Sequence, residues 1–462
     1  MDSKEIEKKI LGDPILSTLS SLAKVKNIPI FLVGGYIRDL FLGVHRKDYD
    51  FALPKEASSF IPIIEEVLHL HFFKIGKEEM NTITYRMVKK EMSIDLTLFQ
   101  GKTIEEDLQK RDFTINATSF SLRDETFHCV EGALEDIRNR IIRTVSTLSI
   151  DQDPLRMLRA IRYLCTLEGF SMDMASKDEI SLKKEKIGRL PGERIKMELD
   201  QILLSPQPEV GMRSLYEWGL LFILLPDLKG LENLGQNEHH HLDVLSHTLL
   251  MVEKISWACE WIAQKGRNIS LSQEDRLSLY YAVLFHDIGK QDTYSKDEKG
   301  RVHFYHHETL SCQRAENIME RLRFSNIMRS KILHLVQHHM RILNLSPETK
   351  ETALKRLVNQ MGEEAPLLVV LCLADKEATR GILSIQIDEV VESHSLRVLD
   401  LFKEKEIVYP LPLITGHDVM ALGYPSGPKV GEILNFIREK QVEGEIKNRE
   451  EALKVLKEQF GG

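Results

Sequence analysis

The sequence predicts an α+β protein, with a mixed sheet-and-helix head followed by a long all-helical body. Three observations carry this. Short β-branched and aromatic runs alternate with helical spacing up to about residue 130. From about residue 135 the apolar spacing is helical throughout. Eleven of the 17 histidines fall between positions 239 and 339, a density that core packing alone does not explain.

Ile30-Phe31-Leu32-Val33 reads as the first strand, followed by the pair Gly34-Gly35 and a helical pattern over 36–42. Tyr49–Leu53, 83–89 and 92–99 read as further strands. Leu155, Leu158, Ile161 and Leu164-Cys165 are spaced for the buried stripe of a helix. A Gly/Pro turn at 423–428 precedes two charged amphipathic helices. The expected divisions are a head at 1–140, a helical neck at 141–225, a histidine-rich helical domain at 226–395 and a helical tail at 396–462.

A chain of 462 residues exceeds one core and suggests about two to four units. With 42% hydrophobic and 29% charged residues it is neither disordered, fibrous nor a membrane bundle. No apolar run reaches the roughly 18–20 residues of a membrane span, and MDSKEIEKKI is no secretory leader. Cys129, Cys165, Cys259, Cys312 and Cys372 are scattered without a CxxC pair, which fits reduced thiols in a cytoplasmic protein. A net charge of −8 argues against indiscriminate nucleic-acid binding but not against a local basic cleft. Nothing in the sequence fixes an oligomeric state.

Asp48-Tyr49-Asp50 opens a strand, where alternate residues face one side, so both carboxylates are placed to hold divalent metal. Asp95 stands inside a second apolar strand, where its charge needs a compensating cation or donor. Gly34-Gly35 joins strand to helix in a manner that lets backbone N–H groups approach phosphate, and Arg38 adds a charged fork one turn on. Asp153-Pro154 fits a helix start, with Asp as N-cap and Pro in the first turn. Arg156, Arg159 and Arg162 then recur every three residues as a positive stripe opposite the apolar one.

FLVGGYIRD, KDYDFAL, EEDLQKRDFTINA, DPLRMLRAIRY and GERIKMEL, in this order, resemble the class II tRNA nucleotidyltransferases, a family that includes CCA-adding enzymes and bacterial poly(A) polymerases. The resemblance covers roughly residues 25–205. It implies a polymerase-β-like head, Mg²⁺ held by Asp48 and Asp50, and Asp95 as third catalytic carboxylate. It further implies nucleotide contacts from Gly34, Gly35, Arg38, Arg111, Asn116, Arg159 and Arg162, and base reading by Asp153 and Arg156. A carboxylate accepts from the exocyclic amine of C or A while a guanidinium donates to the ring, and the carbonyls of U and G repel the carboxylate. The implied partners are the tRNA 3′ end, CTP and ATP, with no membrane. Basic neck residues (Lys183, Lys184, Lys186 and Arg189) are an expected RNA track.

Gln152 and Lys110 replace the family's Glu and first Arg. The segment 99–104, between the Asp95 strand and the next motif, is shorter than the loop that helps many CCA-adding relatives switch from C to A. A CC-only enzyme, an A-adding enzyme and a poly(A) polymerase therefore stay as alternatives, with an RNA-binding protein bearing a degenerate site as one of another class.

His247, His286-Asp287 and Asp375 have the order H…HD…D, with His307 and His339 beside them; this resembles the HD phosphohydrolase superfamily. It implies a divalent metal in residues 226–395, of uncertain identity, and a secondary phosphohydrolase activity on 2′,3′-cyclic or 2′-phosphate ends. The triplet His239–His241 reads as a loop, and His417-Asp418 as a helix start rather than a ligand pair. Residues 413–458 resemble the C-terminal segment of HD-containing members of the same tRNA family.

Overall fold

The computed structural model describes residues 3–44, 47–76, 83–89, 92–235, 242–379 and 385–461; the His239–His241 triplet lies outside them. The chain forms two compact units. One comprises Met1–Leu190 with Glu217–Leu220, the other Pro191–Tyr216 with Leu221–Gly462.

A seven-stranded sheet organises the first unit: β1 Phe31–Val33, β2 Asp48–Leu53, β3 Phe73–Ile75, β4 Thr84–Lys89, β5 Met92–Leu98, β6 Thr118–Ser121 and β7 Thr126–Cys129. Their spatial order is β3-β4-β5-β2-β1-β6-β7. Only β2 and β5 run parallel, so the sheet is mixed, as the sequence predicts. The pleat sorts the side chains. Tyr49, Phe51, Leu53, Ile94, Leu96 and Leu98 join Ile6, Ile10, Leu16 and Leu19 of the two N-terminal helices in one core. Phe31, Val33 and Ala52 lie on the opposite face, in a smaller core with Ile104 and Leu108. Asp48 and Asp50 share that second face with Ala52 and are exposed.

Two expected helices start differently. Gly35–Phe41 follows β1 directly. The helix expected to begin at Asp153-Pro154 begins at Arg156, because residues 153–155 form a preceding turn in which Asp153 Oδ1 accepts from Leu155 N at 3.1 Å. Helix Arg156–Thr166 buries Leu158, Ile161 and Cys165 as predicted. Its arginines are half-buried, and Arg156 and Arg159 are engaged with the protein.

The second unit is helical apart from one short hairpin, Tyr294–Lys296 with Val302–Phe304. Helices Val244–Gln264, Gln273–Phe285, His307–Arg321, Asn326–His338 and Ala365–Thr379 carry the histidine cluster. Ala365–Thr379 is apolar nearly all round because it is the core helix. The stretch Glu351–Thr379 is long and apolar enough to cross a membrane. However, 72% of its most apolar window is buried inside the protein, and a turn at Gly362 (φ 54°) interrupts it. The two expected tail helices are Pro428–Val442 and Arg449–Phe460. Thr415 and Asp418 form a reciprocal capping box, so His417-Asp418 is the start of a helix.

Candidate functional site

In the first unit, the parallel pairing of β2 with β5 sets Asp50 opposite Asp95 and Asp48 opposite Ser93. Ser93 Oγ donates to Asp48 Oδ1 at 2.7 Å. The cation that Asp95 requires is Arg86 on β4, whose Nε and Nη2 reach its two carboxylate oxygens at 2.7 and 2.5 Å. The sequence motifs gave no sign of this arginine; its signal is cross-strand pairing, since Arg86 and Asp95 are register partners. Asp50 is open to solvent yet set low among protein atoms. That desolvation and the Asp95 and Asp48 charges raise its pKa, with Arg111 and Arg86 opposing.

Gly34 has φ +74°, a conformation L side chains rarely adopt, and a Cβ there would lie 3.2 Å from Arg111 Nη1 and 3.9 Å from Asp50 Oδ2. The glycine therefore lets the β1–helix turn close on both groups. Its own N–H is donated to Thr118 O at 3.1 Å. Arg111 is held by Asp107 at 3.3 Å, while its buried Nε has no hydrogen-bond partner among the described residues.

Behind this face lies a buried network. Arg38 is 5% exposed; it donates to Asp39 Oδ1 through Nε and Nη2 and to Asn116 Oδ1 at 2.7 Å. Asn116 Nδ2 donates to Asp112 Oδ1 at 3.0 Å, and Arg159 Nη2 lies 2.9 Å from Asp112 Oδ2. Burial would raise Asp112, but Arg159, the Asn116 bond and the Phe113 N–H hold it below the usual carboxylate value. Arg156 donates to Ser149 Oγ at 2.8 Å and to Lys110 O at 2.5 Å, tying its helix to the KRDFTINA segment. Arg162 lies over the Tyr163 ring at 4.8 Å. Of the expected RNA track, Lys183 pairs with Asp151 and Glu179, and Lys186 with Asp151.

In the second unit the structure brings together all four H…HD…D residues, together with His307 and His339. Two triads of potential ligand atoms form, each buried: His247, His286 and Asp375, and Asp287, His307 and His339. His247 Nε2 is 3.2 Å from Asp375 Oδ1. Asp287 stands between the triads, with Oδ2 3.2 Å from His286 Nε2 and Oδ1 3.3 Å from His307 Nε2. Lys290 Nζ, which the sequence motifs did not single out, lies 2.7 Å from Asp287 Oδ2.

The ring nitrogens fix the tautomers. His286, His307 and His339 place Nδ1 2.8, 2.9 and 2.7 Å from the carbonyls of Val283, Phe304 and Val336. A carbonyl only accepts, so each Nδ1 carries a proton and each ring turns its Nε2 inward. His307 Nε2 and His339 Nε2 lie 3.1 Å apart. At that distance the two nitrogens can share a proton or face a common metal ion. Burial, then the His286 charge, push His339 down to about 3, so it is neutral near pH 7. Burial opposes charge on His286 and Asp287 alike, but each stabilises the charge of the other: His286 is raised and Asp287 depressed, with Lys290 adding to the latter. The donor set of imidazole and carboxylate fits a divalent metal.

The first unit thus presents a mixed sheet bearing Asp48, Asp50 and Asp95 with arginines around it, and the second a helical body with two buried triads of potential metal ligands. Residues 30–143 match the family described as poly A polymerase head domain, 169–231 that described as probable RNA and SrmB-binding site of polymerase A, and 293–456 the tRNA nucleotidyltransferase domain 2 family. The CC-adding tRNA nucleotidyltransferase of Thermus thermophilus is 33% identical over 443 residues, covering 94% of each chain. The A-adding tRNA nucleotidyltransferase of Deinococcus radiodurans is 31% identical over 430 residues, covering 91% of this chain and 93% of its own. The fold matches the Thermotoga maritima CCA-adding enzyme complexed with tRNA, with a TM-score of 0.62 at 20% identity over 99% of this chain and 98% of that one. The chain belongs to the tRNA nucleotidyltransferase family and is an enzyme of the nucleotidyltransferase class. Membership implies use of divalent metal.

Proposed function

We propose that this enzyme adds C, C and A to the 3′ end of tRNA from CTP and ATP, without a nucleic-acid template. The observation that carries the reading is the pairing of Asp50 with Asp95 across β2 and β5, with Asp48 two residues away and Gly34 and Arg111 against Asp50. In functional terms the chain divides into a head at 1–140, a base-selecting neck at 141–225, an HD domain at 226–395 and a tail at 396–462, acting in the cytoplasm. The five cysteines form no disulfide among the described residues, which fits that compartment.

Asp48 and Asp50 hold Mg²⁺, and Asp95 completes the carboxylate set. When bound, the metal supplies Lewis acidity toward the RNA 3′-hydroxyl and charge toward the leaving pyrophosphate. Ser93 fixes the Asp48 carboxylate, and Arg86 holds Asp95 in the plane of its fork. Arg111, with its unpartnered Nε, and Gly35 contact the triphosphate. Arg38, bound on three sides, and Asn116 act as the frame behind them. Asp153 and Arg156 read the incoming base, with Arg159 and Arg162 extending the nucleotide-binding face of the same helix.

A CC-only activity is the second reading, and the segment 99–104 favours it. Gln100 N donates to Asp107 at 3.0 Å, Lys102 N donates to Glu106 at 2.8 Å, and Lys110 Nζ binds Gln100 O. A segment so short and so tied is poorly suited to serve as a moving switch. In the body, the inward Nε2 atoms support a divalent metal and a secondary phosphohydrolase acting on 2′,3′-cyclic or 2′-phosphate ends. Lys290 would steady Asp287 and attract the phosphate.

The test is addition to tRNA transcripts lacking CCA, CA or A, with Mg²⁺ and CTP, ATP or both, resolved to one nucleotide. Three additions ending at CCA are expected. Termination at CC would establish the second reading, and no addition to any primer would overturn both. Loss of phosphatase activity in His286→Ala with addition retained is expected for the body; no metal-dependent hydrolysis by the unaltered protein would overturn that part.

A further inference from the structure

In the second unit, a cleft of about 570 Å³ is lined by Arg341, Arg356, Asn359, Gln360, Arg438 and Glu439, among others. That volume lies within the ~300–1,000 Å³ typical of ligand sites. Three elements contribute its guanidiniums: Met340–Leu343 carries Arg341, Glu351–Met361 carries Arg356, and Pro428–Val442 carries Arg438. On the second of these, Ala353 lies one turn from Arg356 and two from Gln360, so a small side chain leaves room between larger donors.

Arg341, Arg356 and Arg438 are exposed, so like charges gather on a face open to a ligand from solvent. Two of the forks are held in place: Arg341 Nη1 donates to Gln360 Oε1 at 2.8 Å, and Arg356 Nε lies 2.6 Å from Glu443 Oε1. Burial and the Arg356 charge both disfavour charge on Arg341. The Arg438 side chain makes no hydrogen bond or ion pair among the described residues. Glu439 is the one carboxylate of the lining, so the cleft stays positive in a chain of net charge −8.

We propose that this cleft is a binding site for phosphate groups, those of an RNA backbone or of a free nucleotide. Planar forks from three directions suit phosphate oxygens bidentately, which a cluster of lysines would not. The RNA source rests on the proposed function; of the expected neck track, Lys183 and Lys186 are already engaged with Asp151 and Glu179.

The test uses the full chain, with Arg341→Gln/Arg356→Gln/Arg438→Gln as a triple variant, Arg438→Gln and Arg438→Lys singly, and Glu439→Gln. In one arm, affinity for tRNA lacking CCA is measured against salt. Each lost phosphate contact lowers the slope of log K against log[salt] by about 0.9, so the triple variant should lose about 2–3 and Arg438→Gln about 1. Arg438→Lys should restore most of the slope, and Glu439→Gln should tighten binding, a gain that misfolding cannot mimic. In the other arm, ATP bound per chain is counted without RNA; one fewer ATP bound by the triple variant than by the unaltered protein assigns the cleft to a free nucleotide. Unchanged slope, affinity and stoichiometry in every variant would overturn the proposal. A protein that adds nothing to tRNA yet loses the salt slope would sink the proposed function alone, and normal addition with both arms unchanged would sink the cleft alone.

Discussion

Replacing Arg159 with alanine tests the buried network behind the carboxylate face. Asp112 has a side chain 4% exposed and is left with two donors, Asn116 at 3.0 Å and Phe113 N at 2.8 Å, once Arg159 is gone. Breaking a fully buried pair costs about 3–5 kcal/mol. The Arg159 side chain is 34% exposed and partly screened by water, which lowers the expected loss to about 3 kcal/mol. For a unit of this size that is roughly a 6–12 °C drop in melting temperature. Trp218 belongs to the first unit and is 4% exposed, so its fluorescence in a Trp257→Phe/Trp261→Phe background follows this unit. The pH dependence has a definite sign. In the unaltered protein Asp112 is depressed, so its contribution is present above the unfolded carboxylate pKa and is lost as pH falls through the lower folded value. Without Arg159, burial raises Asp112 instead, and the variant gains relative stability as protonation neutralises it. The deficit should thus shrink from about 3 kcal/mol at pH 7 to under about 1 kcal/mol near pH 4. A deficit below about 1 kcal/mol at pH 7, or one constant with pH, would refute the reasoning.

Gly34→Ala forces an L side chain to φ +74° and drives its Cβ against Arg111; the strain of about 1–2 kcal/mol should appear as lost stability, together with a raised KM for CTP. Because Asp50 is raised above the ordinary carboxylate value, nucleotide addition should fall on the acid side as Asp50 takes a proton. More Mg²⁺ should move that limb to lower pH, and Asp50→Asn should abolish both the activity and the limb. Chelator dialysis should lower the melting temperature of the second unit, since metal at 100 times its Kd contributes about 2.7 kcal/mol. His339→Ala should abolish that shift while leaving addition by the head intact; metal content and calorimetry check both.

The sequence by itself determined the strand–Gly-Gly–helix turn, the acidic strands and the H…HD…D order, because each is local: a two-residue period, a glycine at positive φ, or a ligand at the end of an apolar helix. The helix start at Arg156 departs from the expectation by a short turn, since Asp153 caps Leu155 N before the helix has begun. Tertiary structure decided what lies opposite what. Asp50 faces Asp95 only because β2 and β5 pair in parallel, and Arg86 reaches Asp95 only through the β4 register. Arg156 and Arg159 read as part of a positive stripe along the chain, and the fold turns them onto Lys110 and Asp112. The arginine cleft draws on residues nearly a hundred positions apart. Such contacts depend on which buried faces meet, and the long-range packing that sets this leaves no local pattern for a sequence reading to find.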